Sequence, residues 1–74
     1  MEVRWQDHIV SSSEVLKGKP RIIGTRIPAS LVLGYLASGA TAEDVIEEYP
    51  DLTKDDIAAC LSYARDLAEF EVPA

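Results

Sequence analysis

Few residue types in this 74-residue chain could do chemistry. There is one cysteine, Cys60, and one histidine, His8. A lone cysteine rules out an internal disulfide framework and a cysteine-based zinc site. A lone histidine removes the usual metal triads and the Ser-His-Asp arrangement, so Ser11, Ser12 and Ser13 have no base to activate them. His8 reads instead as a strand residue. Gly18-Lys19-Pro20 lacks the upstream glycine spacing and the Ser/Thr of a phosphate-binding P-loop. Glu47-Glu48 and Asp55-Asp56 are adjacent helical positions, which point about 100° apart and cannot share a proton or chelate one ion well. They read as a solvated face. Neither a catalytic site, a metal nor a cofactor is expected, so binding is the chemistry left.

A binding role directs attention to charge. The formal net charge is −6, which argues against a wholly basic nucleic-acid binder. The charge is unevenly divided. Residues 1–34 hold five cations against three acids, net +2, and residues 35–74 hold two cations against ten acids, net −8. Lys17, Lys19, Arg21 and Arg26 form one run with no acid among them. That run is the only segment able to hold a polyanion; its bland alternative is a solvated loop.

The elements that must position these residues follow from periodicity. Trp5 to Val10 is rich in apolar and β-prone residues, reads as extended, and stops at the serine run. Gly18-Lys19-Pro20 is a second break, and Arg21-Ile22-Ile23 reads as a short strand before a turn at Gly24-Thr25. From Ile27 the period becomes helical. Pro28 suits a first helical turn, Ala29 to Ser38 is apolar nearly all round and is expected to be buried on most sides, and Gly39 ends it. Gly34 within it predicts close approach by another backbone. Thr41 with Asp44 caps a second helix whose stripe is Ala42, Val45, Ile46 and Tyr49. Pro50 stops it. Thr53 with Asp56 caps a third helix running to about Phe70, with a core stripe of Ile57, Leu61, Ala64 and Ala68 and a flanking stripe of Cys60, Tyr63, Leu67 and Phe70.

The expected fold is therefore mainly α: a short N-terminal β-hairpin or extended arm, about residues 5–26, then a three-helix unit over 27–70, in a single domain spanning 1–74. The apolar face of the third helix is wider than the ~100° of a typical surface helix. Its excess predicts a second contact, with the N-terminal strands of the same chain or with a matching helix of another. Trp5, Ile9, Cys60, Tyr63, Leu67 and Phe70 are the candidate dimer or partner contacts. A chain this short buries only about 60–65% of its unfolded surface, so self-association is the expected remedy. No apolar run reaches the ~20 residues of a membrane helix, Met1 to Gln6 is unlike a signal peptide, and a buried free cysteine suits the cytoplasm.

The second and third helices have helix-turn-helix spacing. The chemistry of a recognition helix fits less well. Arg, Lys, Asn or Gln normally meet base edges near its N-terminus, whereas here the residues are Thr53-Lys54-Asp55-Asp56. Any DNA contact is expected through Lys17, Lys19, Arg21 and Arg26, with Lys54 secondary.

The run Gly18-Lys19-Pro20-Arg21-Ile22-Ile23-Gly24-Thr25-Arg26-Ile27-Pro28 resembles the opening signature of a small bacterial and cyanobacterial family, domain-of-unknown-function family 433. The likeness continues through Leu33, Tyr35-Leu36-Ala37, Gly39, Tyr49-Pro50-Asp51-Leu52-Thr53, Ala58-Ala59, Leu61 and Tyr63-Ala64, covering about residues 9–68. Ala29 departs from it, where valine is commoner. The resemblance implies a homeodomain-like helix-turn-helix fold and the role of antitoxin to a small PIN-like nuclease toxin, dimeric and repressing its own promoter. As signature positions Arg21, Thr25 and Arg26 join the candidate DNA contacts. The competing expectation is an acidic protein-interaction or dimerisation module that binds no DNA, its −8 half docking a basic partner; the plain alternative for those acids is solubility.

Overall fold

Proline 20 and glycine 24 bracket the first fixed element. Pro20 lends its carbonyl to the Ala29 amide at 2.9 Å, and Gly24 sits at φ +82°, a left-handed conformation open to glycine at no steric cost. Between them β2 (Arg21–Ile22) pairs antiparallel with β1 (Ile9–Val10), Ile9 opposite Ile22 and Val10 opposite Arg21. An isolated bridge from Arg21 to Pro28 holds the other edge of β2. The computed structural model describes residues 3–70, with Phe70 by its backbone only. Three helices follow: α1 (Ala29–Ala37), α2 (Ala42–Glu48) and α3 (Lys54–Phe70). The fold is mainly α with an N-terminal two-stranded hairpin.

Both predicted helix caps form. Thr41 Oγ1 accepts from the Asp44 amide at 3.1 Å while Asp44 Oδ2 accepts from the Thr41 amide at 3.0 Å. Thr53 and Asp56 repeat the exchange at 3.1 and 3.0 Å. Each reciprocal pair satisfies two amides that a helix start leaves without intrahelical partners. Ser38 and Gly39, at φ +103°, end α1 as expected. Leu52, in the short turn between α2 and α3, is buried.

The core joins all these layers: Ile9 and Ile22 from the hairpin, Ala29 and Val32 from α1, Val45 from α2, Leu52, and Ile57, Ala59 and Cys60 from α3. Five expectations need correction. Trp5–Asp7 is a 3-10 turn, not extended chain, and the strand begins only at Ile9. Pro28 stands just before α1 at its N-cap, where its fixed φ still suits the helix start. α1 buries only Ala29 and Val32, and Leu31 is 37% exposed. A Cβ at Gly34 would meet nothing within 4 Å, so no backbone of the described residues approaches it closely. Finally, the inward face of α3 is Ile57, Ala59 and Cys60, while Leu61 is 51% exposed and Ala68 also faces outward. The helix is rotated from the expected stripe because the N-terminal turn packs on it: Trp5 meets Tyr63 edge-to-face with ring centroids 4.9 Å apart.

Candidate nucleic-acid and partner interface

The basic run lies on the ten-residue connection from β1 to β2 and on the turn beyond. The connection makes two tight turns, the Val15 amide bonding to the Ser12 carbonyl and the Gly18 amide to the Val15 carbonyl. Leu16 and Lys17 both sit at positive φ, +53° and +54°. A side-chain-bearing residue there costs on the order of 1–2 kcal/mol, and such strain often accompanies functional segments. Lys17 and Lys19 are exposed on either side of Gly18.

Past β2, the chain reverses through Ile23 to Arg26. Thr25 Oγ1 donates to the Ile22 carbonyl at 2.8 Å and accepts from the Ile27 amide at 3.0 Å. The Ile22 amide donates to the Ile27 carbonyl at 3.0 Å. Thr25 is therefore the closing pin of this turn, which gives its place in the signature a structural reason. Arg21 is half-buried and reaches over the same turn, its Nη1 3.4 Å from the Thr25 carbonyl, with Nε buried and without a hydrogen-bond partner among the described residues. Arg26 is exposed at the turn.

Lys54, at the start of α3, is paired with an acid. Its Nζ lies 3.2 Å from Glu43 Oε2, tying the start of α3 to α2. The Glu43 carboxyl is held below its usual range by a backbone hydrogen bond and then by Lys54. Next to Lys54, Asp55 is exposed, but Asp56 is not the solvated acid that its spacing predicts. Its Oδ1 lies 2.8 Å from His8 Nδ1, with side chains only 14% and 25% exposed. His8 in turn follows the 3-10 turn, one residue before β1, and its carbonyl accepts from the Ile23 amide at 2.8 Å. Sequence reasoning missed this pair: a cap spacing marks Asp56, but nothing local marks a partner 48 residues away.

The structure thus brings Arg21 and Thr25 together in one turn and leaves Lys17, Lys19 and Arg26 exposed. None of these last three makes an ion pair among the described residues. The apolar candidates divide likewise. Ile9 and Cys60 lie in the core, out of reach of a partner. Burial, with the charge of Asp56, pushes the Cys60 thiol up to about 11, the behaviour of an inert structural cysteine. Trp5 is held by Tyr63 and by donation from its indole Nε1 to Asp66 Oδ2 at 2.7 Å. Leu67 is 45% exposed, and the side chain of Phe70 lies outside the described residues. No group of three His, Cys, Asp or Glu among the described residues is placed to hold a metal ion. No described helix is long and apolar enough to cross a membrane.

Comparison with known proteins adds a family. The model for "Protein of unknown function (DUF433)" matches residues 9–64. "Uncharacterized protein y4eO" of Sinorhizobium fredii (strain NBRC 101917 / NGR234) is 34% identical over 56 residues, which are 76% of this chain and 25% of that protein. The chain spans about a quarter of the length of this curated relative. No solved structure matches.

Proposed function

The chain belongs to the DUF433 family of proteins of unknown function, and from that premise we propose that it is a non-enzymatic, cytoplasmic antitoxin-type protein. In this reading it is a homodimer that neutralises a PIN-like nuclease toxin and represses its own promoter, its three helices arranged as a homeodomain-like helix-turn-helix unit. One observation supports the DNA-contacting half above others: the exposed cations that lack an ion-pair partner among the described residues, Lys17, Lys19 and Arg26, all lie in one ten-residue segment.

Operator DNA would then be met by this segment and not by the start of α3. Lys54 is engaged with Glu43 and Asp56 with Thr53 and His8, which leaves exposed Asp55 as the group a phosphate backbone would meet there. A two-fold dimer presents the basic segment twice and offsets its small charge. The −8 helical half would face the toxin, whose substrate-binding groove is expected to be basic.

Co-expression with the small protein encoded beside its gene tests the reading. The two should co-purify, and the complex should retard DNA from upstream of the gene pair at low salt. A chain that purifies alone and retards nothing at low salt refutes it.

A second reading, an acidic interaction module that binds no DNA, is favoured by the acidic start of α3. Both readings meet the partner through exposed acids such as Glu48 and Asp55 and part on DNA, which this module should not retard at low salt. Glu48→Lys with Asp55→Lys should abolish capture of the partner in that case, and unchanged capture rejects it.

A further inference from the structure

Gly34 stands inside α1, where glycine costs helix stability relative to alanine and no positive φ calls for it. A Cβ there would meet nothing within 4 Å, so the packing of the described residues gives no reason for it. With Leu31, Tyr35 and Ser38 it lines an open, shallow depression of about 270 Å³. These residues stand at i, i+3, i+4 and i+7, the four positions that together make a hole for a side chain of a facing helix.

Two properties of this face point to a second copy as its occupant. The first is charge. No acidic or basic residue occurs from 27 to 42, although 27% of the chain is charged. Two copies of a chain of net charge −6 repel where acids meet acids, and a two-fold contact sets every residue near the axis beside its own copy. The exposed leucines Leu61 and Leu67 lie instead on α3, which carries Asp55, Asp56, Asp66 and Glu69. The second property is size, which alternates from Leu31 to Gly34 to Tyr35 to Ser38. A two-fold axis in the contact plane, crossing α1 at right angles between Gly34 and Tyr35, runs the two helices antiparallel. It brings Leu31 of each copy level with Ser38 of the other, and Tyr35 level with Gly34. Each level then holds one large and one small residue, as interdigitated packing requires. The Ser38 hydroxyl already donates to the Tyr35 carbonyl at 2.8 Å, so covering it leaves no donor unpaired.

We propose that this face of α1 is a dimer interface, covered by the same face of a second copy packed antiparallel about a two-fold axis at Gly34. The inference rests on the homodimer of the proposed function and gives it a surface that uses none of the cations assigned to DNA. A contact confined to the nine residues of α1, about 14 Å of helix, lies at the small end of specific interfaces and predicts a dissociation constant in the micromolar range.

Sedimentation equilibrium of the whole chain, from about 1 to about 500 µM, tests it and should show a reversible dimer. Gly34→Glu sets a carboxylate beside its own copy and should weaken dimerisation at least about tenfold. Circular dichroism should show its helices intact, because the position is exposed. Leu61→Glu, at a position of α3 that is 51% exposed, should leave dimerisation unchanged. Helices in contact at about 8 Å would hold the two Gly34 α-carbons about 5 Å apart, within disulfide reach. Gly34→Cys should therefore cross-link two copies in an oxidising buffer, and Leu61→Cys should not; the native Cys60 is buried and does not compete. A chain that stays monomeric throughout overturns both this interface and the homodimer of the proposed function. A dimer that ignores Gly34→Glu, that Leu61→Glu breaks equally, or whose Gly34→Cys form yields no cross-link overturns this interface and leaves the homodimer standing. Dimerisation through Gly34 with neither DNA retardation nor a co-purified toxin upholds the interface and discards the antitoxin reading.

Discussion

Asp56 bonds in two directions at once: Oδ2 accepts from the Thr53 amide at 3.0 Å and Oδ1 lies 2.8 Å from His8 Nδ1. One carboxylate thereby starts α3 and fastens the N-terminal segment to it. Its neighbour Asp55 does neither, being exposed beside it. Losing a capping side chain costs about 0.5–2 kcal/mol, and a partly buried hydrogen-bond partner left unsatisfied adds about 1–3. Asp56→Ala should therefore lower the unfolding free energy by about 2–4 kcal/mol in urea titration. Asp55→Ala should change it by less than about 1 kcal/mol, through its helix-end charge alone. Equal effects would contradict the assignment.

Trp5 and Asp66 give the fold a pH dependence at the acid end. Donation from the Trp5 indole holds the Asp66 carboxyl below its ordinary value, with Arg65 adding to it. A carboxyl depressed in the native state contributes stability that is present above its unfolded pKa, about 3.9, and is lost as pH falls through the lower native value. Asp66→Asn should be less stable than the native chain at neutral pH, and the difference should shrink as the pH drops below about 4. A difference that stays constant to acid pH would show that Asp66 acts by packing and not by charge.

Thr25 is a signature residue whose hydroxyl has two intramolecular partners. Thr25→Val keeps the shape and removes both bonds, at an expected cost of about 1–3 kcal/mol. Gly24→Ala, at φ +82°, should cost about 1–2 kcal/mol for the same turn. Both variants should retain whatever DNA affinity the chain has at temperatures where they remain folded. Loss of DNA binding by a fully folded Thr25→Val would return Thr25 to the contacting surface.

The helices and their ends were legible because they depend on local chemistry. Thr41 with Asp44, Thr53 with Asp56 and Gly39 act within one turn, and the antiparallel pairing of the two short strands follows from β-prone runs separated by turn residues. What was not legible depends on distant neighbours. The wheel of α3 carries apolar residues over about half its circumference, so the sequence could not say whether Leu61 or Cys60 faces inward; the Trp5–Asp7 turn, packing near Tyr63, decides for Cys60. The His8–Asp56 pair is invisible for the same reason. At the candidate site the exposed cations Lys17, Lys19 and Arg26 were legible as a run without acids. The internal commitments of Thr25, Arg21 and Lys54 were not, since each depends on a partner that only the folded turn or helix pair supplies.

Lys17 combines strain and exposure in one residue. At φ +54° its left-handed backbone would be relieved by Lys17→Gly, with an expected gain of about 0.5–1 kcal/mol after the entropic cost of glycine. The same change removes a cation from the proposed DNA-contacting segment. Stability should rise while DNA affinity falls, a pair of opposite signs that thermal denaturation and gel retardation read independently. A simultaneous loss of both would mean that the Lys17 side chain supports the fold.

The salt dependence of DNA binding decides whether the segment from Lys17 to Arg26 meets phosphate. Affinity for DNA from upstream of the gene should be measured from 50 to 200 mM salt for the native chain, Lys17→Ala, Arg26→Ala and Lys54→Ala. Log K should fall linearly with log salt, and the slope should shrink by about two for Lys17→Ala and for Arg26→Ala, about one for each protomer of the dimer, but stay unchanged for Lys54→Ala. Absence of binding at 50 mM salt, or a slope that responds to Lys54 and ignores Lys17 and Arg26, would contradict it.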